Sequence, residues 1–262
     1  MIKIIFVDID GTLFDHASNT FPCSAVEALQ QAKQRGVKVV LASGRSHALM
    51  EQIGATHLVP VDAYITVNGG IVYDPQFNII HHTPIDATML SEMIKMAKAR
   101  DWSLHVVQQD RKFFITPPND YCIRSCERLH IEITPEELKP YEPGAVYAAM
   151  VFAPPAEIEY LMTHFPDLYY HPFAEGSTDI HHSDTNKGNA VKAVLRHFGL
   201  QPDEALALGD GMNDKEMLQV VKYGIAMGNA YDDLKEIAYD VTTAIHEDGV
   251  ANALKKYRVI EE

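Results

Sequence analysis

The chain begins with an apolar run, Ile4-Ile5-Phe6-Val7, that stops on Asp8-Ile9-Asp10-Gly11-Thr12: two carboxylates, a glycine and a hydroxyl. An unbroken apolar run predicts a strand buried on both faces, and parallel strands of that kind gather ligands beyond their carboxyl ends. The period then changes. Val26, Leu29 and Ala32 recur at helical spacing, with Ser24 and Glu27 as a capping box and Gly36 as a stop. Strand patterning returns over 37–42 and again at Tyr64-Ile65-Thr66-Val67, which runs into Asn68-Gly69-Gly70. After Lys187 a helical face forms from Ala190, Val191, Val194, Leu195 and Phe198, Gly199 ends it, and Ala205-Leu206-Ala207-Leu208 reads as another buried strand. The alternation predicts an α/β fold, a doubly wound parallel sheet with helical crossovers.

Between residues 82 and 182 the texture differs. Met89, Leu90, Met93, Ile94 and Ala97 mark a Met-rich helix, and short strands follow near 104–107 and 113–116, with more helix and strand beyond. We read 82–182 as an inserted α+β domain, which leaves 1–81 and 183–262 as a discontinuous core. The methionines fall at helical spacing and read as core filler.

Asp8 and Asp10 are two apart, so an extended chain points both side chains the same way, and Gly11 lets the backbone turn after them. Such a pair persists most easily beside a divalent cation, or with one group ionised and the other protonated. Taken alone, Asp-x-Asp-Gly also reads as a turn after a strand. A calcium loop fails on spacing, because the glycine due at its sixth position is Leu13 and the glutamate due at its twelfth is Asn19. A second acidic cluster, Gly209-Asp210-Gly211-Met212-Asn213-Asp214, closes another apolar run. Ser43-Gly44-Arg45 ends the second strand, and Thr185-Asn186-Lys187-Gly188-Asn189 puts a lysine at a helix mouth. These are the donors for a metal and a phosphate. A dinucleotide fingerprint fails, since the third glycine after Gly209 and Gly211 would fall on Asp214.

Composition narrows the partners. At 262 residues and 47% apolar content, one large or two modest domains are expected. A net charge of −14 argues against nucleic acid or an anionic membrane, so an anionic substrate needs local cations, namely a metal, Lys187 and Arg45. There is no apolar run of membrane-spanning length and no leader pattern, which predicts a soluble cytoplasmic protein. Cys23, Cys122 and Cys126 are odd in number and form no Cys-x-x-Cys pair, so they read as reduced thiols. His81-His82 and His181-His182 bracket the insertion. Adjacent strand residues point to opposite faces and chelate poorly, so these read as surface or hinge positions.

Four motifs stand in order: Asp8-Ile9-Asp10-Gly11-Thr12, Ser43-Gly44-Arg45, Lys187-Gly188 and Gly209-Asp210-Gly211-Met212-Asn213-Asp214. With them the chain resembles the haloacid dehalogenase (HAD) superfamily of phosphotransferases, and within it the Cof-type, subclass IIB sugar-phosphate phosphatases. Ser43 stands where relatives often carry threonine, and it keeps the hydroxyl. The resemblance implies a Rossmann-like core and a cap over 82–182 that closes on the site and chooses the substrate, with His171 or His182 as possible contacts. It implies that Asp8 forms an aspartyl phosphate while Asp10 protonates the leaving alcohol and then takes a proton from water. Magnesium would be held by the Asp8 carboxylate, the Asp10 backbone carbonyl and Asp210. Ser43, Gly44, Arg45, Lys187 and Asn213 would bind the phosphate, with Asn213 and Asp214 orienting groups from behind. The partner is a small phosphate ester, with sugar phosphates ahead of pyridoxal phosphate and flavin mononucleotide, acted on by a monomer or weak homo-oligomer. A phosphomutase would use the same groups. A non-catalytic sugar-phosphate sensor would lack Asp8, Asp10 or Lys187, and all three are present.

Overall fold

The computed structural model describes residues 1–109, 111–128, 138, 141 and 143–261. They divide into two compact units, one of residues 1–82 with 186–262 and one of residues 83–185. The first unit contains β1 (Ile4–Asp8), α1 (Cys23–Gln34), β2 (Lys38–Ala42), α2 (His47–Gln52), β3 (Ala63–Thr66), β4 (Ile71–Tyr73) and β5 (Ile79–His82). The second contains α3 (Ala87–Ala99), β6 (Ser103–Val107), β7 (Lys112–Phe114), α4 (Asp120–Arg128), β8 (Ala148–Phe152), α5 (Pro155–His164), β9 (Leu168–Ala174) and β10 (Ser177–His182). The chain then returns to the first unit through α6 (Lys187–Phe198), β11 (Ala205–Gly209), α7 (Lys215–Val220), β12 (Tyr223–Ala226), α8 (Asp232–Ile237), β13 (Asp240–Val241) and α9 (Gly249–Lys256).

Among the described residues the first unit's sheet runs β13-β12-β11-β1-β2-β3-β4-β5. It is parallel from β13 to β3, and every residue of β1 and β11 is buried, as unbroken apolar runs require. β4 and β5 are antiparallel, a departure from the expected all-parallel order. Only 67–70 separate β3 from β4, too few for a helical crossover. The chain leaves β1 for β2 on one side and comes back to β11 on the other, so the sheet's switch point lies between β1 and β11.

Helix α1 buries Ala25, Ala28, Leu29 and Ala32, with Gly36 at φ 79° just past its end. The expected capping box is not formed. Pro22 occupies the cap position, and the Ser24 hydroxyl donates to Asp248 at 2.5 Å. Helix α6 is capped by Asn186, whose side chain accepts from the Asn189 amide, and it stops at left-handed Gly199.

The second unit is an antiparallel sheet, β7-β6-β8-β10-β9, among the described residues. One face packs Leu104, Val106, Ala149, Val151 and Ile180 against Leu90, Met93, Ile94 and Ala97 of α3, so the methionines are core. On the other face α4 lays Cys122 and Cys126 on Phe114 and Phe152. No disulfide joins Cys23, Cys122 and Cys126. β7 ends two residues before the expected 116, because the Thr116 hydroxyl donates to the Trp102 carbonyl and accepts from the Leu104 amide. Among the described residues no helix is long and apolar enough to cross a membrane.

Candidate active site

The loops beyond β1, β2 and β11, with the first turn of α6, carry the candidate chemistry. Asp8 is the last residue of β1, and Lys187 is the first of α6. The Lys187 ammonium is fully buried and donates to Asp8 Oδ1 at 2.5 Å and to Asp214 Oδ1 at 2.6 Å. Asp214 Oδ2 accepts the backbone amides of Asp210 and Gly211, each at 3.0 Å. Both oxygens of Asp214 are thus engaged, one fixing the lysine and the other folding the loop. Asp210 accepts from Thr12 Oγ1 at 3.1 Å. Gly11 has φ 84°, and a Cβ there would run into the Asp210 carboxylate, so the position needs glycine on both counts.

Carboxylate oxygens of Asp8, Asp210 and Asp214 lie within 4.8 Å of one another, the one such group of possible metal-holding side chains among the described residues. No histidine joins them. The electrostatics are those of three carboxylates facing one ammonium. Burial and the Asp214 charge push the Asp8 carboxyl up, against the pull of Lys187. Burial, then Asp214, pushes Asp210 up to about 6. Burial alone would push Lys187 down, but Asp214 and Asp8 outweigh it and hold the ammonium charged. An all-oxygen donor set with surplus negative charge fits a hard divalent cation.

Asp10 has its side chain in a second group. Arg45 Nε donates to Oδ1 at 3.1 Å and to Oδ2 at 2.9 Å, and its Nη2 donates to Oδ1 at 2.7 Å. Ser43 Oγ donates to Oδ2 at 3.4 Å, and His16 Nε2 lies 3.0 Å from Oδ1. Burial pushes the Asp10 carboxyl up, but the hydrogen bonds and charge of Arg45, and then His16, hold it below the usual carboxylate range. The loop after β3 braces these residues: the Val67 amide donates to the Arg45 carbonyl and the Asn68 amide to the Ser43 carbonyl. Asn68, at φ 54°, accepts from Asn213 Nδ2 at 3.0 Å. Asn229 Nδ2 donates to the Gly11 carbonyl at 2.8 Å.

The family of haloacid dehalogenase-like hydrolases matches residues 5–254. The chain belongs to that family. It is 27% identical over 299 residues to Phosphatase YwpJ of Bacillus subtilis (strain 168), across 97% of this chain and 99% of the relative. Among solved structures it is similar to a Geobacillus kaustophilus HTA426 protein, at TM-score 0.90 and 27% identity over 99% of this chain and 100% of that one. It is also similar to the HAD subclass IIB sugar phosphatase BT4131, at TM-score 0.78 and 27% identity over 98% of this chain and 100% of that one. This haloacid dehalogenase-like hydrolase is an enzyme of the phosphatase kind.

In this hydrolase Asp8, Lys187, Asp210 and Asp214 converge, while Asp10, Ser43 and Arg45 form an ion-paired group of their own. The Gly44 backbone sits in the braced loop, and Asn213 reaches Asn68 rather than a carboxylate. The sequence reading gave no role to His16, Asn68 or Asn229. The Asn-Gly-Gly run was a signal for Asn68, since asparagine tolerates positive φ. His16 and Asn229 carried none.

Proposed function

We propose that this phosphatase hydrolyses small phosphate monoesters, sugar phosphates foremost, through an aspartyl phosphate on Asp8, with magnesium as cofactor, in the cytoplasm. The observation that carries the reading is the buried Lys187 held between Asp8 and Asp214 at the sheet's switch point, with Asp210 beside them. Phosphoryl transfer depends on in-line positioning and charge neutralisation more than on a strong nucleophile, and this group supplies both. The likeness to a sugar phosphatase supports the substrate class.

A carboxylate oxygen of Asp8 attacks phosphorus, the bond from phosphorus to the leaving oxygen breaks, and Asp10, which enters this step in its protonated form, gives that oxygen its proton and is left ionised. Water then attacks the aspartyl phosphate, loses a proton to Asp10, and frees phosphate and the Asp8 carboxylate. The ionised Asp10 held by Arg45 is in the form that takes the proton from water. Ser43 Oγ and the Gly44 amide bind phosphoryl oxygens, and Lys187 balances charge on both Asp8 and the transferring group. Asp8, Asp210 and the Asp10 backbone carbonyl would hold magnesium, which supplies Lewis-acid neutralisation of the phosphoryl group.

Removing divalent cations with EDTA should abolish turnover, and magnesium should restore it. Stability gives an independent readout. Asp210 binds its proton more tightly folded than unfolded, so this contribution is present in full below about pH 4 and is lost as pH rises through about 6. Magnesium should therefore raise the thermal midpoint more at pH 7 than at pH 5, where the Asp210 proton competes with it. Full activity in metal-free protein, or a midpoint indifferent to magnesium, refutes the assignment.

Residues 83–185 supply the substrate preference in this reading. Phe114, His105, Met150, Asp179 and His171 are cross-strand partners in one row of that sheet, on the face opposite the Leu104 and Val106 core. His105 is buried with its Nδ1 unpartnered, and burial pushes Asp179 up to about 6. Such a row pairs donor and acceptor groups, the chemistry that a polyhydroxylated ligand requires. His171→Ala and Asp179→Asn should each change the ratio of kcat/KM between two sugar phosphates by about 10-fold or more. Turnover of p-nitrophenyl phosphate should stay nearly unchanged. Folded variants that slow every ester equally count against the reading.

A further inference from the structure

Asp10 is held from two loops. Arg45 and Ser43 reach it from beyond β2, whereas His16 comes from the loop that follows Asp10 itself. That loop is internally tied. The Leu13 and Phe14 amides donate to the Ile9 carbonyl, Asp15 and Thr20 exchange backbone hydrogen bonds, and Ser18 Oγ donates to Asp15 Oδ2 at 2.9 Å. The His16 ring stands edge-on to Phe14, with centroids 5.1 Å apart, and Phe14 packs on Phe21. The imidazole is exposed, but its ring rests against Phe14 and the loop that carries it is held by its own hydrogen bonds.

Both oxygens of the Asp10 carboxylate are occupied. Oδ1 takes Arg45 Nη2 and His16 Nε2, and Oδ2 takes Arg45 Nε and Ser43 Oγ. Without His16 every remaining contact pulls toward the loop beyond β2. We propose that His16 is a positioning residue that keeps Asp10 aligned for its proton transfers by anchoring Oδ1 to the loop after β1. The proposal rests on the reading of Asp10 as the acid and base. A misplacement of about 1 Å at a reacting group slows a reaction on the order of 100-fold, so a contact outside the reaction itself can matter.

His16→Ala should lower kcat for a sugar phosphate by about 10- to 100-fold with little change in KM. With p-nitrophenyl phosphate, whose leaving group needs little protonation, rapid mixing should show nitrophenol released in a burst close to the enzyme concentration, followed by a slowed steady state. His16→Gln, whose side-chain amide can donate to the same oxygen, should recover most of the lost kcat. A thermal midpoint like that of the parent in both variants separates positioning from folding. The proposal is overturned if His16→Ala keeps the parent kcat, if it slows the burst as much as the steady state, or if His16→Gln is as slow as His16→Ala. If instead Asp10→Asn itself keeps full turnover of the sugar phosphate, the acid-base reading of Asp10 fails first, and that result is distinct from a silent His16→Ala.

Discussion

Asp8→Asn is expected to release no nitrophenol from p-nitrophenyl phosphate, even with enzyme near the substrate concentration, because the amide cannot form the acyl phosphate. Asp10→Asn should behave differently. With a sugar phosphate it should lose about 10²–10⁴-fold, the usual size of a general acid-base contribution. With the aryl ester, attack by Asp8 should survive while attack of water on the intermediate stalls, so a burst precedes a slow steady state. The two variants probe different groups in the structure: Asp8 lies against Lys187, Asp10 against Arg45. A burst from Asp8→Asn and none from Asp10→Asn would reverse the roles.

Lys187→Met should damage stability as well as activity. It removes the ammonium between Asp8 and Asp214, both buried, and leaves two carboxylates without their shared partner. Breaking a buried pair by deleting one partner costs about 3–5 kcal/mol, and loss of a charge-stabilising donor at the reacting group costs a further factor of about 10²–10³ in kcat. The pH dependence gives a check. Without the lysine, burial and mutual repulsion favour protonation of one carboxylate, so the folded state binds more protons than the unfolded. The variant's deficit should accordingly shrink toward pH 5 and grow toward pH 8, as followed by chemical denaturation. Lys187→Arg should not rescue, because the fully buried site offers no room for a guanidinium and its geometry differs from that of a point charge. A variant as stable as the parent at every pH would contradict this account of the core.

The sheet was legible where residues are buried on both faces. β1 and β11 are unbroken apolar runs, and the chemistry that needs strand ends follows directly on them as Asp8 and Asp210. What the sequence concealed are contacts chosen by distance in space. Arg45 reads as a phosphate-binding cation from its motif, yet its guanidinium lies on Asp10, 35 positions away. Ser24 has the spacing of a cap, but its hydroxyl goes to Asp248, 224 positions on. The antiparallel β4 and β5 were hidden because three- and four-residue strands carry too little periodicity to show direction. His16 was invisible because a single histidine in a polar stretch has no pattern at all.

The central strand of the first unit has one consequence for how the chain is made. β1 lies between β2 and β11, and β2 is available to it almost at once, whereas β11 begins at residue 205. At about 5–20 residues per second, the ribosome leaves the other edge of β1 open for roughly 10–40 s. During that interval residues 83–185 can complete their own sheet, while Asp8 has neither Lys187 nor Asp214 beside it. An open, largely apolar strand edge is a template for pairing with other nascent chains, so the period before residue 209 emerges is when this chain is most exposed to misassembly.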